Sequence, residues 1–339
     1  MSKRDAKSLL SRGRRRAIRP ARDQQPMPVG VIGLGLMGSS IATCLIASGH
    51  PVVGIDKEAS RRRGLKRHVR SLLHQMRRQK LLSKDPAALV KRLSAFDDFA
   101  ALRDCGLVIE SIFEDLDAKR EVIRKIEQVV AADALIGSNT SALPISDLQH
   151  GALHPERILG VHWGEPAHIL RFLEVICGDQ TSEQNAAKAL RLAARWNKEP
   201  TLVRRDVRGF ITNRLMYAML REAFYLVENG YATVEDVDRS VRNDMGWWMT
   251  LAGPFRYMDL TGIPAYAAVM RRLLPELCRD VQVPGLMQEV VGSGARGISN
   301  AKGFYSYEPG EARRWEKRFL AFNYDIRALA LKYAGRPNH

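Results

Sequence analysis

Short apolar runs alternate along the first two-thirds of the chain with stretches in which apolar residues recur every three or four positions. The apolar runs at 29–32, 51–55, 106–109 and 134–137 predict buried strands, and the stretches 39–48, 60–82, 86–93 and 116–130 predict helices. Two further β-like segments, 157–163 and 170–176, flank a turn that contains glycine and proline. Alternating strands and helices predict an open, mostly parallel sheet.

The last third of the chain differs because its apolar residues follow a helical period. Six of them share this spacing between Asn213 and Gly230, where the glycine ends the helix: Leu215, Met216, Met219, Leu220, Phe224 and Val227. Thr233 begins a second helix. Trp247 and Trp248 are expected to pack in the core of this helical region, with an aromatic wall for a substrate as the alternative.

The strand at 29–32 enters Gly33-x-Gly35-x-x-Gly38, and a helix follows. In that context the first glycine permits a tight turn, the second lets a pyrophosphate approach the backbone, and the third lets the helix pack on the strand. The next strand ends in Asp56, a carboxylate suited to an adenosine ribose and repulsive to a 2′-phosphate. The unit favours NAD as cofactor; the alternative is a glycine-rich turn without a ligand.

These patterns define the expected fold class and domains. The fold is α/β, with a Rossmann-like NAD-binding domain over 28–205 that carries a helical hairpin insertion, followed by an all-α domain over 206–339. The formal charge of +16 is unevenly placed, because residues 1–27 hold nine lysines and arginines against two aspartates and so supply +7, and the rest of the chain supplies +9. This tail is expected to be disordered and solvated, with an RNA-binding arm or a transit peptide as alternatives.

Composition limits the function classes. No apolar run reaches the ~18 residues that a membrane-spanning helix needs, so none is expected. The four cysteines are scattered without metal-site spacing, which predicts no metal and no disulfide framework. The tail has no apolar core of the kind that a secretion signal contains, so we expect a cytoplasmic protein.

The hairpin at 60–93 is strongly basic. Its lysines and arginines surround an apolar stripe of Leu65, Val69, Leu72, Leu73 and Met76. A basic helical face is commonly just solvated surface, but this one is also a candidate for holding a polyanion such as the phosphates of coenzyme A.

The segments at 157–163 and 170–176 carry the residues that are candidates for acid/base catalysis. Pairing of these segments would bring His162 near Glu174. A carboxylate bonded to one imidazole nitrogen leaves the other nitrogen to take a proton from an alcohol; a core histidine satisfied by a nearby acid is the alternative. His154 and His168 are expected in loops or at the surface. Glu114 and Ser141 follow strand ends at the cofactor edge, where they serve a ligand or cap helices.

Five motifs in this order resemble the 3-hydroxyacyl-CoA dehydrogenase family from about Pro28 to about Tyr307. They are the glycine motif at 33–38, the Glu-x-x-x-Glu block from Glu110 to Lys119, Ser138-Asn139-Thr140-Ser141, the block from Gly160 to Glu174, and Gly209-Phe210-Ile211-Thr212-Asn213-Arg214.

This resemblance implies that His162 is the catalytic base, that Glu174 orients it, and that Ser141 and Asn213 donate hydrogen bonds to the substrate oxygen. It also implies coenzyme A contacts at Ser71 and Arg78, and a homodimer formed through the helical domain. The implied NAD-binding residues are Gly33, Gly35, Leu36, Met37, Gly38, Asp56, Glu114, Lys119 and Asn139.

One position departs from the family pattern. Family members usually show His-Phe-Phe-Asn-Pro, whereas this chain has His162-Trp163-Gly164-Glu165-Pro166. Glu165 in place of asparagine would change the hydrogen bonds around the acyl pocket or favour a cationic substrate group. Residues 213–230 resemble the branch that contains L-gulonate 3-dehydrogenase and carnitine dehydrogenase, which oxidise hydroxy acids without coenzyme A.

We therefore expect an NAD-dependent oxidoreductase that converts an L-3-hydroxyacyl-CoA to a 3-oxoacyl-CoA. The first alternative is a dehydrogenase of a free 3-hydroxy acid of the gulonate or carnitine type. The second is a catalytically silent NAD-binding protein whose basic tail contacts RNA or another acidic partner. For the enzyme itself, neither a nucleic acid nor a membrane is an expected partner.

Overall fold

A computed structural model describes residues 26–333. Within this range the chain forms two compact units, the first from residues 26–140 and 145–205 and the second from 141–144 and 206–333. The basic tail lies outside the described residues except for Pro26 and Met27. Met27 packs against the core of the first unit, and its carbonyl accepts a hydrogen bond from His50 Nδ1 at 2.9 Å. The assignment of Met27 to a disordered tail is therefore wrong.

The described part of the first unit is built on an eight-stranded sheet. Its strands are β1 (Val29–Ile32), β2 (Val52–Ile55), β3 (Leu93–Phe96), β4 (Leu107–Glu110), β5 (Leu135–Ser138), β6 (Ile158–Trp163), β7 (Phe172–Cys177) and β8 (Glu199–Val203). The spatial order is β3-β2-β1-β4-β5-β6-β7-β8, and neighbouring strands are parallel except β6 and β7. The predicted Rossmann-like sheet is confirmed.

Helices connect these strands and cover the sheet. They are α1 (Leu36–Ala47), α2 (Ala59–Arg78), α3 (Pro86–Val90), α4 (Leu116–Glu127), α5 (Ile145–Gln149) and α6 (Glu183–Arg195). Short 3-10 helices lie at Phe99–Leu102 and Pro155–Arg157. β1 is buried along its whole length, as expected for a central parallel strand with both faces covered.

The basic hairpin differs in part from its prediction. The apolar stripe on α2 is buried at Leu65, Val69, Leu73 and Met76, as its spacing predicts. The helix ends at Arg78 rather than near residue 82, and Lys80 then adopts a positive φ of 57°, which a helix does not accommodate. The second helix predicted at 86–93 is wrong beyond Val90, because Leu93–Phe96 pairs in parallel with β2 as an edge strand.

The described part of the second unit is helical, as predicted. Its helices are α7 (Thr212–Glu228), α8 (Val234–Asn243), α9 (Met245–Met249), α10 (Pro254–Thr261), α11 (Ile263–Leu273), α12 (Gly285–Gly292) and α13 (Glu311–Tyr333), with a 3-10 helix at Ile298–Asn300.

The tryptophan pair of the second unit does not pack as one core element. Trp248 stacks on Tyr257 with ring centres 4.1 Å apart, but Trp247 is 78% exposed. Core packing of Trp247 is thus a wrong expectation for a single chain. Between residues 26 and 333, no helix has both the length and the apolar character to span a membrane.

Candidate active site

The glycine motif forms a tight turn between β1 and α1. Gly33 has a φ of +86°, and a Cβ at this position would lie 2.5 Å from the Ser111 carbonyl oxygen. A Cβ on Gly38 would lie 1.8 Å from the Gly33 carbonyl oxygen, so the helix and the strand touch there. A Cβ on Gly35 would meet no described atom within 4 Å. The open space above Gly35, at the N-terminus of α1, fits a pyrophosphate.

Asp56 fixes the same turn from the end of β2. Its Oδ2 accepts the Leu34 main-chain N–H at 2.7 Å and its Oδ1 accepts that of Glu58 at 2.8 Å. The residue is 5% exposed, and Arg61 Nη1 lies 3.5 Å from Oδ2. Because each carboxylate oxygen can accept more than one hydrogen bond, Asp56 retains the capacity to accept from a ribose diol.

A cavity of about 630 Å³ joins this turn to α2. Leu34, Gly35 and Leu36 line one side, and Arg61, Arg67, His68 and Ser71 are among the residues on the other. The cavity size and its cationic wall fit the adenosine diphosphate half of NAD. Ser71 therefore lies beside the dinucleotide turn, whereas Arg78 is exposed in the last turn of α2.

A buried ionic cluster at the ends of β4 and β5 was not predicted as a unit. Glu110, fully buried, accepts hydrogen bonds from Lys119 Nζ at 2.7 Å and from the Ser138 hydroxyl at 2.6 Å. Lys119 Nζ also lies 3.4 Å from Glu114 Oε2, and Glu114 Oε1 accepts the Thr140 hydroxyl at 2.5 Å. The cluster holds Glu114 at the cofactor edge. Glu110 is the missed residue, although an acid at the end of a buried strand is a recognisable signal.

Asn139 connects the ends of three neighbouring strands. Its Nδ2 donates to the Ser111 hydroxyl at 3.1 Å, and its Oδ1 accepts the Trp163 main-chain N–H at 2.9 Å. The Asn139 main-chain N–H donates to the Glu110 carbonyl at 2.8 Å. The amide therefore ties the cofactor edge of the sheet to the strand that carries His162.

His162 and Glu174 meet across the one antiparallel pair of strands within the described sheet. They are register partners on β6 and β7, and His162 Nδ1 lies 2.9 Å from Glu174 Oε2. Their side chains are 9% and 1% exposed, and the Phe172 ring packs edge-on against the imidazole at 5.5 Å. Because an ionised carboxylate only accepts, the proton of a neutral ring sits on Nδ1 and the basic lone pair on Nε2. This arrangement can accept a proton and stabilise the resulting imidazolium.

The second unit brings together the two predicted oxygen-binding residues. Asn213, at the start of α7, donates from Nδ2 to the Ser141 main-chain carbonyl at 2.8 Å.

Glu165, the residue that departs from the family pattern, is exposed in the first unit.

The remaining histidines differ from each other. His154 is about half exposed beside Glu156 at 3.7 Å, as expected of a loop residue. His168 lies in a loop, as expected, but not at the surface: it is 7% exposed, and its Nδ1 lies 2.8 Å from the Ser40 hydroxyl on α1. Burial, with the nearby Lys198 cation, lowers the pKa of His168 to about 4. Across the described ranges of the chain, no three histidine, cysteine, aspartate or glutamate side chains are grouped so as to hold a metal.

Comparisons with known proteins agree with this geometry. The family model described as "3-hydroxyacyl-CoA dehydrogenase, NAD binding domain" matches residues 28–207, and "3-hydroxyacyl-CoA dehydrogenase, C-terminal domain" matches residues 209–307. A 5-formyl-3-hydroxy-2-methylpyridine 4-carboxylate 5-dehydrogenase from Mesorhizobium japonicum is 32% identical over 84% of this chain and 92% of its own length. A probable 3-hydroxybutyryl-CoA dehydrogenase from Deinococcus radiodurans is 31% identical over 83% of this chain and 100% of its own length.

Solved structures show the same two kinds of relative. A 5-formyl-3-hydroxy-2-methylpyridine 4-carboxylic acid 5-dehydrogenase, described as an NAD⁺-dependent dismutase, matches with a TM-score of 0.83 and 29% identity, covering 92% of this chain and 99% of that one. The (S)-3-hydroxybutyryl-CoA dehydrogenase from Ralstonia eutropha matches with a TM-score of 0.70 and 28% identity, covering 84% and 99%. The chain belongs to the 3-hydroxyacyl-CoA dehydrogenase family and is an NAD-dependent oxidoreductase.

Proposed function

We propose that the protein oxidises a secondary alcohol with His162 as the general base, and that the substrate is an L-3-hydroxyacyl-CoA. The single observation that carries the proposal is the buried 2.9 Å contact between His162 Nδ1 and Glu174 Oε2. A base held in this way is what removal of a hydroxyl proton requires. The intact pair argues against the alternative of a catalytically silent NAD-binding protein.

The residues have separate tasks in the proposed step. His162 Nε2 takes the hydroxyl proton, and Glu174 stabilises the imidazolium that forms. Bound NAD would supply the hydride acceptor for the same carbon. Ser141 and Asn213 are proposed to donate hydrogen bonds to the oxygen as it becomes a carbonyl. Glu114, Lys119 and Asn139 are proposed to contact the nicotinamide half.

The coenzyme A part of the proposal is supported by α2 and by the relatives. Apart from Arg61 and Arg67, which line the cavity assigned to NAD, the exposed face of α2 is still cationic, with Arg63, Lys66, Arg70, Arg77 and Arg78 exposed. Guanidinium and ammonium groups suit the phosphates of a coenzyme A handle. Relatives named as 3-hydroxybutyryl-CoA dehydrogenases match along nearly their whole length. We therefore propose that Ser71 and Arg78 contact this handle.

A second candidate substrate lacks coenzyme A. It is favoured by the 0.83 TM-score to the formylpyridine-carboxylate dehydrogenase, against 0.70 for the 3-hydroxybutyryl-CoA enzyme. An aldehyde hydrate, R-CH(OH)₂, presents His162 with a hydroxyl on the carbon that loses the hydride, so the same base yields R-COOH, NADH and a proton. Free 3-hydroxy acids are also substrates without coenzyme A, and the exposed Glu165 would suit a hydroxy acid that carries a cationic group.

A substrate panel separates these candidates. NADH formation is measured with L-3-hydroxybutyryl-CoA, with free 3-hydroxy acids, and with aromatic aldehydes that carry a carboxylate. Under the main proposal kcat/KM is highest for the CoA ester, and Arg78→Ala raises its KM. Arg124→Ala, which removes a surface ion pair with Glu121 on α4, is the control and has little effect. Turnover of the free acids or aldehydes, with KM for the CoA ester insensitive to Arg78, would support the second candidate.

We also propose that the protein is a homodimer formed through the second unit. The helix α13 lies beyond the family match, which ends at residue 307, and leaves Trp315, Phe319, Phe322 and Leu329 between 44% and 62% exposed. These residues follow a spacing of four, three and seven, which is the period of a helix-pairing seam.

Light scattering coupled to size-exclusion chromatography tests the dimer. Phe322→Glu is expected to weaken it. Lys317→Glu, on the exposed polar part of α13, serves as the matched control. A monomeric wild-type protein, or a dimer indifferent to Phe322→Glu, would contradict this use of α13.

A further inference from the structure

The loop at residues 164–171 joins the strand that carries His162 to the strand that carries Glu174. Its middle forms a tight turn, because the main-chain N–H groups of Ile169 and Leu170 both donate to the Pro166 carbonyl at 3.0 Å. Ala167 and Ile169 are fully buried. Main-chain carbonyls in such a buried turn are costly unless each has a hydrogen-bond partner.

Lys198 supplies these partners from the segment between α6 and β8. The residue is only 7% exposed, and its Nζ donates to the main-chain carbonyls of Ala167 and Leu170. The same Nζ lies 4.9 Å from the centre of the Trp163 ring. An ammonium has three N–H donors, so two carbonyls and one aromatic face give a buried cation a favourable environment.

Lys198 therefore contacts the loop near both of its ends. Trp163 follows His162 directly, and its ring stacks on that of Trp196 at 5.3 Å. The pair Trp163 and Leu173 is the last in the ladder before the loop, one step beyond the pair of His162 and Glu174. On the other side, the Glu199 main-chain N–H donates to the Arg171 carbonyl at 2.9 Å, where β8 begins to pair with β7.

The loop is also tied to α1, the helix of the dinucleotide turn. The Ser40 hydroxyl accepts the His168 main-chain N–H at 3.2 Å and contacts the His168 ring. Because the pKa of His168 is lowered to about 4, chiefly by burial, its ring is neutral at physiological pH and adds no second cation beside Lys198.

We propose that Lys198 is a positioning residue for the His162–Glu174 pair: it closes the loop at the open end of the ladder and so holds the imidazole and the carboxylate at bonding distance. This inference rests on the proposed role of His162. Without the ammonium, the buried Ala167 carbonyl and the partly buried Leu170 carbonyl lose this donor, and the loop must rearrange to satisfy them. The two strand ends that bear the catalytic pair would then separate or twist.

The test compares Lys198→Met with Lys188→Met. Methionine keeps most of the apolar stem of Lys198 but donates no hydrogen bond. Lys188 is a matched control, because it lies on α6 and also donates to a main-chain carbonyl, that of Asp133 at 3.0 Å, but at the surface. The pH dependence of kcat/KM is measured for each variant, together with KM for NAD and the thermal midpoint.

For Lys198→Met we expect kcat to fall about 10- to 100-fold, as misplacement of a catalytic group does, while KM for NAD stays within about threefold. The half-maximal point on the acid side of the kcat/KM profile should move to lower pH, because an imidazolium less well held by its carboxylate forms less readily. Lys188→Met should leave both quantities unchanged.

An acid-side midpoint at or above the wild-type value in Lys198→Met, whatever the loss of thermal stability, would overturn the proposal, because loss of the Lys198 charge by itself favours the imidazolium and only a loosened carboxylate lowers the midpoint. If Lys198→Met does not accumulate, Lys198→Gln is measured in the same way, because its uncharged amide nitrogen is one atom closer to the backbone than the ammonium that donates to the two loop carbonyls. A midpoint shifted to lower pH supports the proposal, and an unshifted one overturns it. Near-normal turnover in His162→Gln would instead refute the proposed function itself, so the two failures are distinguishable.

Discussion

Replacement of Glu174 by glutamine isolates the charge of the carboxylate from its shape. Glu174 is 1% exposed and lies 2.9 Å from His162 Nδ1, so water does not take its place as an acceptor. The amide can accept from Nδ1 through its oxygen, which retains a neutral hydrogen bond, or donate through its nitrogen. In the second case the ring proton moves to Nε2, and the base no longer presents its lone pair there.

The expected loss follows from these two effects. A hydrogen bond to a charged partner contributes about 1.5–3 kcal/mol and a neutral one about 0.5–1.5 kcal/mol, and each ~1.4 kcal/mol corresponds to a tenfold change in rate. The lost charge alone is the difference, about 1–1.5 kcal/mol, and therefore lowers kcat by about 5- to 12-fold. The unfavourable tautomer extends the loss toward the full contribution of a general base, about 10²- to 10⁴-fold. We expect kcat of Glu174→Gln to lie between these limits.

Steady-state NADH formation with L-3-hydroxybutyryl-CoA measures the effect, and NADH fluorescence titration measures cofactor affinity. Affinity should stay within about threefold of wild type, because Glu174 is not part of the glycine turn. Glu156→Gln is the matched control, since Glu156 also faces a histidine, His154, but at 3.7 Å with both side chains about half exposed. A kcat of Glu174→Gln within threefold of wild type would contradict the proposed role of the Glu174 charge.

Two further predictions concern the dinucleotide turn. Gly35→Ala should fold normally, because its Cβ meets only open space, but it should bind NADH more weakly, because that space is where we place the pyrophosphate. Gly38→Ala should also lose thermal stability, because its Cβ would lie 1.8 Å from the Gly33 carbonyl oxygen. Equal NADH affinity of Gly35→Ala and wild type would argue against the pyrophosphate position. Asp56→Asn should lower the preference for NAD over NADP by about tenfold through loss of charge repulsion, measured as the ratio of kcat/KM values; an unchanged ratio would assign the preference to other residues.

Much of the fold depends on residues close together in the chain and could therefore be predicted from the sequence. The glycine turn, the alternation of strands and helices, and the apolar stripe of α2 each reflect residues close together in the chain. The register of His162 against Glu174 also follows from one short connection. β3 escaped prediction because Leu93–Phe96 follows the short helix α3 without a break that sequence patterns reveal.

The less predictable part of the site depends on contacts between distant segments. His168 pairs with Ser40 across 128 residues, and Lys198 reaches back to carbonyls 28 and 31 residues earlier. A lysine after an amphipathic helix looks like a surface residue in the sequence. Lys198 is buried because its ammonium donates to the Ala167 and Leu170 carbonyls, and only the folded structure brings these carbonyls close to it.

A single-turnover experiment on His162→Gln tests most directly whether His162 is the general base. Enzyme in excess over L-3-hydroxybutyryl-CoA is mixed with saturating NAD, and the first appearance of NADH absorbance is followed in wild type and variant. We expect the variant to bind NADH as wild type does and to form NADH about 10²- to 10⁴-fold more slowly. A chemical step within a few-fold of the wild-type rate would show that His162 is not the base.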